Sequence, residues 1–279
     1  MRTIVITGAS DGIGAAAAAQ LAHEDTRLVL VGRSPAKTRA VAARVGAEHH
    51  AVDFERLDEV RDLAAALRGE CARIDVLADN AGGMFSGPAL TTDGVEKTFQ
   101  VNHLAPYLLT ALLVDRLIGS RAAVVNTASV GARLFGRIDL DDIDSRDRFH
   151  PNRAYGNAKL ANILFTRGLH ARFRSRGLTA VAFHPGMIAT NFASDTSSGL
   201  RRVYHGALQR FLTPPERGGA VLAHFVTGRP DRDWAPGEFH GAHGRISRTH
   251  SQAYDPLMAE RHWEQSARML GLEPAWGLA

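Results

Sequence analysis

The sequence is poor in cysteine, in lysine and in long apolar runs, and each shortage narrows what the chain can be. Cys71 is the only cysteine. No intramolecular disulfide can form, so a reducing compartment is expected. Cys71 itself, in or near the third helix of the pattern below, reads as an inert packed thiol. No apolar stretch approaches the roughly 18 residues that a helix needs to cross a bilayer, so no membrane span is expected. Met1 to Gly8 reads as a strand entering a glycine turn, not as a signal peptide. Together these features predict a cytoplasmic protein. Of 33 basic residues only three are lysines, and the formal net charge is +4 over 279 residues. Arginines are scattered among acids along the whole chain, which describes a solvated surface and not a nucleic-acid patch. The 13 histidines show neither HExxH nor other ligand spacing, so no metal site is expected.

What is present is alternation. Short apolar runs at 4–6, 27–31, 48–52, 74–78, 122–127 and 178–183 alternate with helical patterns at 12–23, 35–44, 57–68, 95–117, 152–174 and 215–226. A short last strand at 238–241 and a closing helix at 253–270 complete the pattern. Strands alternating with helices predict βαβ units and an α/β fold with a doubly wound parallel sheet of Rossmann type. Pro106 should kink the 95–117 helix, because proline lacks a backbone donor. No linker or repeat divides the chain, so 1–279 is expected to form a single domain. Two stretches interrupt the alternation: an insertion at 131–151 and a segment at 191–213. The latter joins a small polar run to an apolar stripe of Leu200, Tyr204, Leu208 and Leu212, which suits a lid.

The first strand runs directly into Thr7-Gly8-Ala9-Ser10-Asp11-Gly12-Ile13-Gly14. Glycines here allow a tight turn and a close phosphate, and the helix that follows presents unpaired N–H groups to it. Small Ala17 lets that helix pack closely. After the second strand stands Val31-Gly32-Arg33-Ser34, with no acid to bind the ribose hydroxyls of NAD. The Arg33 guanidinium suits a 2′-phosphate instead. NADP(H) is the expected cofactor, with NAD(H) as the alternative. Further along, Tyr155 and Lys159 lie one helical turn apart on the 152–174 helix and share a face. A tyrosine normally titrates near ~10. A neighbouring ammonium favours its phenolate and fits it for proton transfer.

These motifs resemble the short-chain dehydrogenase/reductase family, in its shorter single-domain branch. TGASDGIG matches the cofactor turn. Asp79-Asn80-Ala81-Gly82 is similar to the family's NNAG motif, with Asp79 in place of the first asparagine. Asn102 stands in VNHL, Ser129 follows the fifth strand, Tyr155 to Lys159 form YxxxK, and Pro185-Gly186-Met187-Ile188-Ala189-Thr190 is similar to the turn that grips nicotinamide. VNHLAPYLLT, YGNAKLANILFTR and HPGMIAT further resemble a retinol-dehydrogenase-like subgroup. The resemblance implies a catalytic set of Ser129, Tyr155, Lys159 and Asn102, with Asn102 holding a water beside Lys159. It implies cofactor contacts at Gly8, Ser10, Asp11, Gly12, Ile13, Gly14, Arg33, Asp53, Phe54, Asn80, Ala81, Gly82, Tyr155, Lys159, Pro185, Gly186, Ile188 and Thr190. His184 reads as structural.

The function expected is hydride transfer between a nicotinamide cofactor and a small-molecule alcohol, ketone or aldehyde. Two other classes compete. A redox-sensing dinucleotide binder without turnover would tend to lose Tyr155 or Lys159, and both are kept. A sugar-nucleotide epimerase would carry a larger C-terminal substrate domain. Family resemblance also implies a homodimer or homotetramer that pairs through the 95–117 and 152–174 helices.

Overall fold

The computed structural model describes residues 1–186 and 213–277. Seven strands form one sheet: β1 (Arg2–Thr7), β2 (Thr26–Gly32), β3 (Glu48–Ala51), β4 (Val76–Asp79), β5 (Ala123–Thr127), β6 (Thr179–Phe183) and β7 (Phe239–His240). Their order is β3-β2-β1-β4-β5-β6-β7, and every pair is parallel. The order reverses between β1 and β4, which opens a crevice at the strands' C-terminal ends.

The inner strands, with helices on both faces, are buried on both sides, which explains their apolar runs, whereas edge strand β3 is polar and largely exposed. Along β1, Ile4 and Ile6 face one core and Val5 the other. One face is covered by α1 (Gly12–Leu21), α2 (Pro35–Val45) and α9 (Pro215–Thr227). The opposite face carries α3 (Leu57–Glu70), α5 (Ala105–Leu112), α8 (Pro151–Phe173) and α10 (Pro256–Met269). Ala17 is fully buried, and a Cβ at Gly219 of α9 would lie 2.7 Å from Ala16 Cβ and from Ala17 N. Small residues therefore set the close approach of α1 to α9. Cys71 caps the C-terminus of α3 and is buried, and desolvation raises its thiol pKa.

The segment expected as one kinked helix at 95–117 is built in pieces. A turn α4 (Lys97–Phe99) runs into a π-helical turn at Gln100–Leu104, then α5, then α6 (Val114–Gly119). Pro106 is the physical reason for the irregularity at the start of α5. It has no N–H to give the Asn102 carbonyl four residues back, and the wider turn places it in the first turn of α5, where a helix tolerates proline. The closing helix likewise begins at Pro256, after a 3-10 turn at Ser251–Tyr254, and Asp255 caps it by accepting from Leu257 N and Met258 N.

The C-terminal segment lies across α5 and α8. Trp263 of α10 stacks on Phe165 and Trp276, and Trp276 meets Tyr107 edge-on. Tyr107 Oη donates to the Trp263 carbonyl, and Trp276 Nε1 donates to Tyr107 Oη, both at 3.2 Å. Residues 105–111 and 154–166 are buried without a break. The helices expected to pair copies are thus sheathed by the chain's own C-terminal part. Among the described residues no helix is long and apolar enough to cross a membrane.

Candidate active site

The glycine turn after β1 forms one wall of the crevice. Asp11 stands at the N-cap of α1, its Oδ1 accepting from Gly12 N at 2.8 Å. Gly8 has φ +67°, and a Cβ there would press on the Ala81 backbone at 2.7 Å. Gly14 sits under the turn, where a Cβ would lie 2.4 Å from the Gly8 carbonyl. Asn80 ties the turn to the sheet. Its Nδ2 donates to the Thr7 carbonyl at 3.1 Å, and its Oδ1 accepts from Thr127 Oγ1 at 3.3 Å.

The crevice, about 610 Å³, is lined by Gly8, Ser10, Asp11, Gly12, Ile13, Arg33, Asp53, Phe54, Asn80, Ala81, Gly82, Ser129, Tyr155, Lys159, Pro185 and Gly186. The structure therefore brings almost all the expected site residues to one place. Gly14 and Asn102 stand behind the lining. Ile188 and Thr190, like the candidate lid at 191–213 apart from Thr213, lie outside the described residues. The insertion opens on a short helix, α7 (Gly131–Leu134), and reaches the same crevice through Leu134 and Phe135. Its backbone rests on α8 beside Tyr155, where a Cβ at Gly156 would meet the Phe135 carbonyl carbon at 2.7 Å. Gln252 and Gln265 clamp its far end, donating to the carbonyls of Ile138 at 2.7 Å and Leu140 at 2.8 Å.

Lysine is the residue that the sequence reading undervalued. All three lysines stand at this crevice or beside it. Lys37 lines it and pairs with Asp11 at 3.2 Å. Lys97 pairs with Glu55 at 2.7 Å and lies over the Phe85 ring, both lining residues. Lys159 is the third. In a chain that otherwise uses arginine, the scarcity of lysine was the available signal. Arg33 contacts Glu55 more loosely than Lys97 does, at 3.3 Å, and its side chain is 58% exposed.

At the other end of the crevice, α8 carries Tyr155 and Lys159 toward β5. Gly131 separates Tyr155 from Ser129: a Cβ there would lie 3.2 Å from Tyr155 Cε1 and 3.3 Å from Ser129 Oγ. Ser129 Oγ accepts from Gly131 N at 3.0 Å, which leaves its hydroxyl hydrogen available to another acceptor. Lys159 Nζ lies 5.7 Å from the Tyr155 ring centre and donates to the Thr127 carbonyl at 3.1 Å. Burial lowers the Lys159 ammonium pKa to about 7. Asn102 is held by four hydrogen bonds to three neighbours. Its Nδ2 donates to the carbonyls of Gly83 and Thr98, its Oδ1 accepts from Gly83 N, and its carbonyl accepts from Asn162 Nδ2. Gly82 is required between these groups, since a Cβ there would stand 2.3 Å from Asn102 Oδ1 and 3.1 Å from Lys159 Nζ. Among the described residues no three His, Cys, Asp or Glu side chains are grouped to hold a metal ion.

A doubly wound parallel sheet, a glycine turn at the first strand-to-helix junction and a Ser–Tyr–Lys group in the same crevice define a dinucleotide-dependent oxidoreductase. A model of the short chain dehydrogenase family matches residues 2–201. A Streptomyces sp. (strain C5) protein, provisionally assigned as a daunorubicin C-13 ketoreductase, is 36% identical and spans 97% of this chain and 93% of its own length. Human retinol dehydrogenase 12 is also 36% identical, over 97% of this chain and 87% of its own. A crystal structure of an uncharacterised protein from Mycobacterium paratuberculosis superposes with a TM-score of 0.76 at 31% identity, covering 98% of this chain and 94% of that one. The chain belongs to the short-chain dehydrogenase/reductase family. Its activity is NAD(P)-dependent hydride transfer between a nicotinamide cofactor and an alcohol or carbonyl substrate.

Proposed function

We propose that the protein is an NADPH-preferring reductase of bulky, apolar aldehydes or ketones, with Tyr155 as its proton donor. The placement of Tyr155 and Ser129 on either side of Gly131, with Lys159 in the same crevice, carries this reading. The crevice fits a dinucleotide on steric grounds, because side chains at Gly8, Gly14 or Gly82 would collide with the turn or the site behind it. Gly8 to Ile13 would hold the pyrophosphate at the α1 N-terminus, Asp53 and Phe54 the adenine, Asn80 to Gly82 the middle, and Pro185-Gly186 with Ile188 and Thr190 the nicotinamide. When bound, the nicotinamide supplies the hydride.

Three charges favour the 2′-phosphorylated cofactor. Arg33 and Lys37 flank the mouth where an acid would select NAD. Exposed ion pairs such as Arg33–Glu55 and Lys37–Asp11 contribute roughly 0–1 kcal/mol, so an incoming phosphate can exchange them at little cost. Lys97 already neutralises Glu55.

Ser129 donates its free hydroxyl hydrogen to the substrate carbonyl oxygen and fixes it beside Tyr155. Tyr155 gives its phenolic proton to that oxygen as the carbon takes the hydride, and the alcohol leaves. Lys159, while charged, stabilises the phenolate that remains and returns a proton to it. Asn102 holds the crevice floor next to Lys159. Leu134, Phe135, Met84 and Phe85 also line the crevice, which suits an apolar substrate. A cytoplasmic site of action accords with the single buried thiol. The helices expected to join copies into a homodimer or homotetramer are sheathed by α10, and a single copy is the working unit of this proposal.

The test is NADPH oxidation over a panel that includes all-trans-retinal, daunorubicin and small aliphatic aldehydes. Turnover of the bulky compounds with NADPH, and slower turnover with NADH, is expected. Reduction of none of them would overturn the reading.

A further inference from the structure

The polar stripe on α8 continues past YxxxK. Tyr155, Lys159, Asn162 and Thr166 follow one another at helical spacing and share a face. Asn162 is 3% exposed, and its Nδ2 donates to two backbone carbonyls, Asn102 at 3.0 Å and Thr127 at 3.4 Å. The Thr127 carbonyl is the one that also accepts from Lys159 Nζ. The Asn102 carbonyl needs such a donor, because Pro106 cannot supply the helical one. Asn162 thus bridges the two chain segments that bring Asn102 and Ser129 to the site.

An amide in this position can face two ways, and the surroundings select one. Both carbonyls only accept, so the Nδ2 group must face them and Oδ1 must face His103, whose Nδ1 lies 3.2 Å away. His103 Nδ1 then has to carry a proton. Its Nε2 is bare and accepts from Ser266 Oγ of α10 at 3.0 Å. His103, Asn162 and Ser266 are all buried. The ionisable groups facing His103 are His262 of α10, with ring centres 4.8 Å apart, Tyr107 of α5, edge-on at 5.9 Å, and Lys159 of α8. Burial, His262 and Lys159 keep His103 neutral, as the bonding pattern requires.

We propose that Asn162 is a positioning residue for the reaction, oriented by the Nδ1–H tautomer of His103 and through it by Ser266 of the C-terminal helix. The chain of bonds runs from α10 through His103 and Asn162 to the carbonyl that anchors Lys159. The C-terminal helix therefore acts on the active site without touching substrate or cofactor. This inference rests on the reductase reading above only for its kinetic consequence; the tautomer and the bond directions stand independently.

Two measurements on the full-length chain test it. The first is 15N NMR of histidine-labelled protein, with His103 assigned by its loss in His103→Asn. His103 should hold a protonated Nδ1 and a bare Nε2 from pH 6 to 9. The opposite tautomer, or titration within that range, overturns the proposal. The second is kinetics with NADPH and all-trans-retinal or daunorubicin, alongside thermal unfolding. Asn162→Leu and His103→Leu should lower kcat about 10-fold to 30-fold, as expected for misplaced groups, with KM for NADPH changed less than about 2-fold. His103→Asn keeps a donor near the Nδ1 position and should recover most of the kcat lost in His103→Leu. Ser266→Ala should fall between. A purely structural role predicts lower unfolding temperatures with native kcat per folded molecule, and that result overturns the proposal. If the wild-type chain reduces neither compound, the reductase reading fails while the NMR result still decides the bonding network.

Discussion

Replacing Tyr155 with phenylalanine removes one oxygen and keeps the ring that Gly131 admits beside Ser129. Cofactor affinity should stay near native while turnover falls about 100-fold or more, as expected for loss of a general acid. Near-native turnover would remove Tyr155 from its role. At the other end of the crevice, Arg33→Ala and Lys37→Ala should each weaken NADP binding by about 1.5–3 kcal/mol, the range for a charged hydrogen bond, and change NAD binding little. Lys37→Ala also removes the cation beside Asp11, whose carboxylate then repels the phosphate more strongly. Titrating both dinucleotides against each variant checks this, and equal losses for NAD and NADP would exclude phosphate reading. Arg33 was legible in the sequence because it follows a strand where an acid is common. Lys37 was not, because only the folded start of α2 turns it back to Asp11.

At the scale of the elements, β4 ends on a residue with an unusual charge. Asp79 is buried, accepts from Thr110 Oγ1 at 3.2 Å, and is paired in register with Asn126 of β5. Asp79 Oδ1 and Asn126 Oδ1 are both buried without a hydrogen-bond partner. A proton on Asp79 would supply the missing donor, and desolvation pushes its pKa up to about 8. Because the folded pKa lies above the unfolded value of 3.8, its contribution to stability is full below 3.8. The contribution declines as pH rises and is lost once pH passes about 8. Asn at this position, as in the family motif, donates at every pH. The unfolding temperature of Asp79→Asn relative to wild type should therefore rise between pH 5 and 8.5, and a difference constant with pH would refute the assignment. The substitution itself was visible in the sequence, but its consequence needed the β4–β5 register.

For the whole molecule, the C-terminal segment decides more than the alternating pattern suggests. α10 and Trp276 cover α5 and α8, clamp the insertion through Gln265, and reach the active site through Ser266. With that face occupied, the chain should sediment at micromolar concentration as a single copy of 30.1 kDa. A dimer or tetramer of the intact chain would show that copies pair elsewhere. The wild-type chain and Trp263→Ala should differ here. The variant loosens α10 from Phe165 and Trp276, costs about 3–5 kcal/mol for loss of a buried tryptophan, and uncovers apolar surface that favours association.

The amino-acid sequence by itself determined the alternation of strands and helices in the first half, the glycine turn, and the pairing of Tyr155 with Lys159, because each rests on local spacing. Periodicity and glycine placement act within a few residues, so they can be read without a fold. It also carried Pro106, whose missing N–H opens the Asn102 carbonyl, although the π-helical turn that accommodates it depends on packing against α8. Only the tertiary structure decided which donor takes that carbonyl, which way the Asn162 amide faces, and that Ser266, more than a hundred residues away, holds His103. Those outcomes depend on burial, where each polar group must find a partner among distant segments.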